Sequence, residues 1–248
     1  MNNHLRSFYI ALSFLTRIKT PLEATVTQKQ IGDSMVFYPL VGFIMGLSFY
    51  LITQCIWFFS TDFSSEVLAA VLLTFLVLIT GGLHLDGLAD SADAWIGGLN
   101  DRERTLEIMK DPYCGPIAVA VVVLVLLLKW TAISHLLKTD QAAFLIVLPM
   151  LSRSVIIVLF MTTVYVRDSG LGTALLEYIP KETILWPVLL LSVLLYMIFA
   201  GLFSLLSVVI AILALRALMI QRIGGMTGDT LGASIEIAEA VALVGLVF

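Results

Sequence analysis

The chain has 248 residues, of which 60% are hydrophobic and 13% charged, and its mean hydropathy is +1.03. A water-soluble core could not absorb that much apolar surface, so a soluble globule is excluded and the bilayer is the expected solvent. The net charge of -4, with no basic stripe interleaved with aromatics, excludes a nucleic-acid partner.

From the amino terminus, residues 1–30 read as an interfacial helix with a cytoplasmic segment. Phe8, Leu12 and Leu15 recur at helical spacing beside Arg6, Arg17 and Lys19, a pattern that lies in the membrane surface rather than crossing it. No small-residue cleavage site follows, so the segment is not read as a signal peptide. Seven spans are then predicted, at 35–59, 66–83, 115–138, 141–164, 184–200, 202–222 and 229–248. The fifth and sixth share one apolar stretch too long for a single crossing, and Gly201 is the expected turn. The expected fold is all-α, a polytopic transmembrane helical bundle forming one integral membrane domain over 1–248.

With the amino terminus inside, eleven of the fourteen Lys and Arg residues fall on the cytoplasmic side, and only Lys138 falls on the other. Lys129 and Arg153 lie within spans. This is the positive-inside distribution, and it predicts a multi-pass protein of the cell inner membrane whose site faces the cytoplasm. Cys55 and Cys114 fall near opposite faces, so no disulfide is expected between them.

The polar residues gather in two cytoplasmic motifs. The loop 84–114 opens with GGLHLDGLADSADAW, in which Asp86, Asp90 and Asp93 stand at i, i+4 and i+7. On a helix, the second and third lie within about 40° of the first. Three anions on one stripe repel one another unless a cation joins them, and hard oxygen donors of this kind suit Mg²⁺ shared with substrate phosphates. A solvated acidic face is the plain alternative; acids leading directly out of a span argue against it.

The same loop continues with DRERTLEIMKD, where Glu107 and Asp111 share a face and Arg102 and Arg104 are available to phosphate. The second motif, 223–240, contains GGMTGDTLGASIEIAEA. Gly225 and Gly228 there permit close approach of a ligand, and Asp229 and Glu236 share a face. Arg153, inside the fourth span, needs a bundle acid or a substrate phosphate, and Arg167 after that span is a candidate phosphate contact. Lys129 could either snorkel to the interface or serve the site. His84 points about 160° away from Asp86 and is read as structural.

At GGLHLDGLADSADA, LEIMKD and GGMTGDTLGASIE the sequence closely resembles the cobalamin synthase family, the adenosylcobinamide-GDP ribazoletransferases. The likeness extends to ALSFLTRI and FYPLVGFIMG near the amino terminus, and departs from the familiar pattern at Ala94-Trp95-Ile96 and at Pro112-Tyr113-Cys114-Gly115. It implies transfer of a cobinamide phosphate from adenosylcobinamide-GDP to α-ribazole or its 5'-phosphate, with release of GMP and with Mg²⁺ as cofactor. Asp86, Asp90, Asp93 and Asp229 would then be catalytic, with Asp86, Asp90, Asp93, Asp111, Asp229 and Glu236 as metal ligands. Arg102, Arg104, Arg153, Arg167, Gly225 and Gly228 would bind substrate. Spacing does not separate ligand from base. A homo-oligomer is compatible with the sequence. Two rival readings share the acidic motifs: an ion-coupled transporter, and another Asp-rich membrane phospho- or prenyltransferase.

Overall fold

The computed structural model describes residues 2–22, 26–60, 63–99, 101–167, 171–180 and 182–247. Asn100, a polar loop position, and Lys181, one of the cations counted toward the topology, lie outside them. The described residues form helices α1 (Asn3–Leu15), α2 (Gln28–Ser34), α3 (Tyr38–Phe59), α4 (Ser65–Thr80), α5 (Leu83–Gly97) and α6 (Arg102–Ile108). There follow α7 (Pro116–Lys138), α8 (Leu148–Thr162), α9 (Leu171–Glu177), α10 (Glu182–Ile223) and α11 (Gly228–Val247). The one β element among the described residues is a parallel bridge between Tyr165 and Met226.

Apolar length fixes the spans. Among the described residues five helical stretches are long and apolar enough to cross a membrane, and α4, which passes the same test together with the bent α5 that follows it, makes a sixth span. The seventh comes from α10, whose backbone leaves helical geometry at Gly201, with φ 78° and ψ 171°. Tyr196 and Ser204 hydrogen-bond through their hydroxyls at 2.7 Å, whereas eight residues of straight helix would separate them by about 12 Å. Trp186 and Leu213 likewise line one groove. The chain therefore folds back at Gly201 as a helical hairpin, as its length requires.

Burial ranks the helices. The span ending in α8 is 78% buried and α11 67%, against 28% for α7 and 22% for α10. α8 and α11 are thus the centre of the bundle, and α7 and α10 turn apolar side chains such as Leu124, Ile198 and Ile210 outward, as a lipid-facing wall must. Cys55 and Cys114 are both free and exposed.

One bend positions the site. The second span was expected to run to residue 83, but it ends at Thr80, because Gly81 and Gly82 adopt φ 64° and 72°, a left-handed conformation that glycine takes without a Cβ clash. The chain turns by 88°, so α5 leaves the line of α4 and lies across the end of the bundle. Its Asp93 reaches the start of α7, where Gly115 N and Ala118 N both donate to its carboxylate.

Candidate active site

α5 meets α11 at two glycines. A Cβ on Gly87 would lie 2.6 Å from the Asp229 carbonyl oxygen, and one on Gly232 would lie 3.3 Å from His84 Cα. Backbone contact at this crossing sets Asp86 and Asp90 beside Asp229, the second residue of α11. The start of α11 is fixed independently. Thr227 Oγ1 accepts from Thr230 N at 3.3 Å and Thr230 Oγ1 accepts from Thr227 N at 2.9 Å, a reciprocal cap with threonine in the place of the usual Glu or Gln.

The segment after α8 is fastened to this same turn. Val166 N donates to Met226 O at 3.0 Å, and Met226 N donates to Val164 O at 2.8 Å. Gly225 makes this possible, since its Cβ would sit 2.2 Å from Val164 O. Its absent side chain therefore admits another backbone, where the sequence suggested a ligand. The pairing delivers Arg167, whose Nη2 donates to Asp229 Oδ2 at 2.5 Å. Arg167 Nε is buried with no hydrogen-bond partner, an orphan donor beside a carboxylate cluster.

Asp86, Arg167, Asp229, Tyr165 and Gly228 line a cavity of about 290 Å³. Asp90 completes the group. Its pKa is pushed up to about 6, chiefly by burial and then by the charges of Asp86 and Asp229, with Arg167 opposing. A carboxyl that feels two others this strongly belongs to one cluster with them. Tyr165, stacked on Phe160 with ring centroids 6.3 Å apart, gave no sign in the sequence beyond its closeness to Arg167.

The other predicted residues take different places. Both oxygens of Asp93 accept from the α7 terminus, as described above, so the third member of the stripe serves first as a helix cap. Asp111 is exposed and accepts from Tyr113 N at 3.0 Å. Arg104 pairs with Glu107 at 2.7 Å on the exposed face of α6. Arg102 Nε donates to Ile223 O at 2.9 Å, closing the end of α10 beside the glycine turn. Gly228 keeps an open position on the cavity wall.

Glu236 and Arg153 are set apart from this cluster. Seven residues along α11 from Asp229, about 10 Å on, Glu236 accepts from Lys129 Nζ at 2.5 Å. Glu239 accepts from the same Nζ at 2.7 Å and from Arg153 Nη1. All four are buried, and Arg153 is fully enclosed. Arg153 has thus found the bundle acid that was one of its two expected partners, and Lys129 turns inward rather than snorkelling. Two intramembrane cations facing two intramembrane carboxylates was the sequence signal for this network.

The donor chemistry at the bundle end fits a hard divalent cation, because Asp86, Asp90 and Asp229 bring oxygen ligands whose mutual repulsion a cation would relieve. As the side chains stand, no three His, Cys, Asp or Glu among the described residues converge on a metal-sized point.

Fold and site together define a polytopic α-helical membrane protein with a carboxylate and arginine cluster at one end of its bundle. The family model described as cobalamin-5-phosphate synthase matches residues 7–247. A protein of Acinetobacter baumannii (strain ACICU) named adenosylcobinamide-GDP ribazoletransferase is 47% identical, over 95% of this chain and 94% of the relative. Proteins of the same name from Pseudomonas aeruginosa (strain PAO1) and Pseudomonas fluorescens (strain Pf0-1) are 47% and 46% identical, covering 99% and 96% of this chain and 99% and 97% of their own lengths. No solved structure matches. The chain belongs to the cobalamin-5-phosphate synthase family.

Proposed function

We propose that this protein is an adenosylcobinamide-GDP ribazoletransferase. A ribose hydroxyl of α-ribazole, or of its 5'-phosphate, attacks the phosphorus attached to cobinamide. The bond from that phosphorus to the oxygen bridging to GMP breaks, and GMP leaves with the electron pair. The hydroxyl proton passes to a carboxylate of the cluster. The observation that carries the reading is that Asp86, Asp229 and Arg167 line one cavity, with Asp90 close enough to feel the charges of all three.

Asp86, Asp90 and Asp229 would hold Mg²⁺, which when bound neutralises charge on the pyrophosphate and on the leaving group. The Arg167 guanidinium already donates to Asp229, so its orphan Nε is the donor free for a phosphate oxygen. Asp93 acts here by capping α7 and holding α5 across the bundle end, and Glu236 and Arg153 act within the buried network instead of at the phosphates. The distribution of Lys and Arg supports a site facing the cytoplasm from the inner membrane. A transporter reading gains nothing from the buried network, whose four charges pair with one another and whose adjoining void is about 10 Å³, barely one water.

The test is turnover of the lipid-reconstituted protein with adenosylcobinamide-GDP and α-ribazole, with and without Mg²⁺, following GMP and the cobalamin product by chromatography. Magnesium-dependent formation of both is expected; a folded sample that forms neither would overturn the proposal. In the same assay Gly87→Ala should lower kcat by tenfold or more. Its new methyl group must force α5 from α11 at the Asp229 carbonyl, an overpacking that costs about 1–3 kcal/mol. An unchanged kcat would show that this helix crossing does not set the geometry of the cluster.

A further inference from the structure

A second cavity, of about 460 Å³, lies against the acidic one. The two share Phe14, Leu83 and Leu175 as walls. Its apolar lining comes from Ile10 and Phe14 of α1, Ile31 of α2, Tyr38 of α3 and Leu175 of α9. The hydroxyls around it are turned away from any ligand. Ser34 donates to Ile31 O, Thr16 to Leu12 O and Thr80 to Leu76 O, while Ser13 and Thr20 bond each other. They are satisfied by the protein and leave the interior suited to an apolar, flat group.

Arg17 is the exception. Its backbone N–H donates to Ile79 O at 2.6 Å. Its side chain lies over the bend between α4 and α5, where a Cβ on Gly81 would be 2.0 Å from Arg17 Nε. Arg17 is one of the residues lining the cavity, and no side-chain acceptor for its guanidinium is found among the described residues. An apolar chamber with one uncommitted cation at its edge, next to a carboxylate cluster that processes phosphate, calls for a ligand that is aromatic at one end and anionic at the other.

We propose that this cavity is the acceptor site, taking an aromatic ribonucleotide with its base among Ile10, Phe14 and Tyr38 and its 5'-phosphate on Arg17. The assignment rests on the ribazoletransferase reading given above. Size decides which of the two substrates it takes. At interior packing density a two-ring ribonucleoside of some twenty heavy atoms occupies roughly 300 Å³, which fits, while a corrinoid with its side chains has several times as many atoms and does not. The corrinoid half of the donor stays outside, and its pyrophosphate alone enters the acidic cavity. The two cavities adjoin at Phe14, Leu83 and Leu175, so the ribose of an acceptor seated here lies on the side nearest Asp86 and Asp229, with its base against the apolar lining.

The test separates binding from turnover. Equilibrium dialysis of α-ribazole 5'-phosphate against the purified protein, without donor, is expected to show saturable binding. Arg17→Gln should weaken it by roughly tenfold, the scale of a lost hydrogen bond to a charged group, while binding of α-ribazole, which lacks the phosphate, stays as in wild type. Ile31→Trp, which fills the chamber, should weaken both ligands. Arg17 is exposed, so that variant remains informative should Ile31→Trp fail to fold. Equal affinity of wild type and Arg17→Gln for the phosphorylated ligand overturns the proposal, as does loss of α-ribazole binding in Arg17→Gln. Displacement of the nucleotide by phospholipid vesicles, with no such discrimination between the two ligands, overturns it in favour of a lipid site. Absence of turnover in a wild type that shows this binding pattern would count against the transferase reading, and with it the acceptor role, while leaving a nucleotide-binding site at this cavity standing.

Discussion

Asp86→Asn is expected to lower kcat by about 10²–10³-fold, the loss typical of removing one preorganised electrostatic partner from a reacting centre, in a protein that remains folded. The amide keeps the shape of the carboxylate and removes the charge. In the native state that charge is a burden, since Asp86 is one of the neighbours whose charges raise the Asp90 pKa. Asp90→Asn should lose activity in the same way, and its stability carries a further signature. An acid raised from 3.8 to about 6 on folding binds more protons in the native than in the unfolded state between those values. Native stability in metal-free buffer therefore falls as pH rises from about 4 to about 6, and Asp90→Asn should flatten that fall. Thermal unfolding in detergent across this range, paired with turnover at neutral pH, measures both. A variant with near-normal turnover would remove Asp86 or Asp90 from the site, and one that lost its fold would show that the cluster is structural.

The sequence makes the bundle legible because hydropathy is a property of single segments, and even the hairpin at Gly201 follows from a stretch too long for one crossing. Its pattern of faces also brings Asp86, Asp90 and Asp229 into one reading. What it hides is the partner across the bundle. Asp229 and Glu236 share a face of α11, yet position along the helix separates them, and Lys129 of α7 meets one and not the other. Asp93 falls on the stripe with Asp86, but the start of α7 lies just beyond it, and the Gly115 and Ala118 N–H groups there take both of its oxygens. Gly225 looks like a ligand-facing glycine until the backbone of Val164 is found against it. The bend at Gly81 and Gly82 was written in the sequence as two adjacent glycines, although unbroken hydropathy argued for continuing the span.

The largest effect on stability is expected from Glu239→Gln, at the centre of the buried network. Glu239 accepts from Lys129, Arg153 and Ser152, so it ties α11 to both α7 and α8. Without its charge, two buried cations face the single carboxylate of Glu236, which accepts from Lys129. Arg153 would be left with neutral acceptors alone, Ser152 Oγ and the amide oxygen of the new side chain, its Nε and Nη2 having no partner already. Leaving a buried charge uncompensated costs about 3–5 kcal/mol, a large part of the stability of an ordinary domain. Glu239→Gln should therefore melt far below wild type or fail to give a monodisperse sample. The control that isolates charge from packing is Lys129→Met combined with Glu236→Met, which removes one ion of each sign and keeps Arg153 with Glu239. Replacing a whole buried pair by apolar groups is often neutral or stabilising, so the double variant should melt near wild type. Equal melting of Glu239→Gln and wild type would mean that water or a local rearrangement reaches Arg153, and that apolar packing alone sets α11 against α7 and α8.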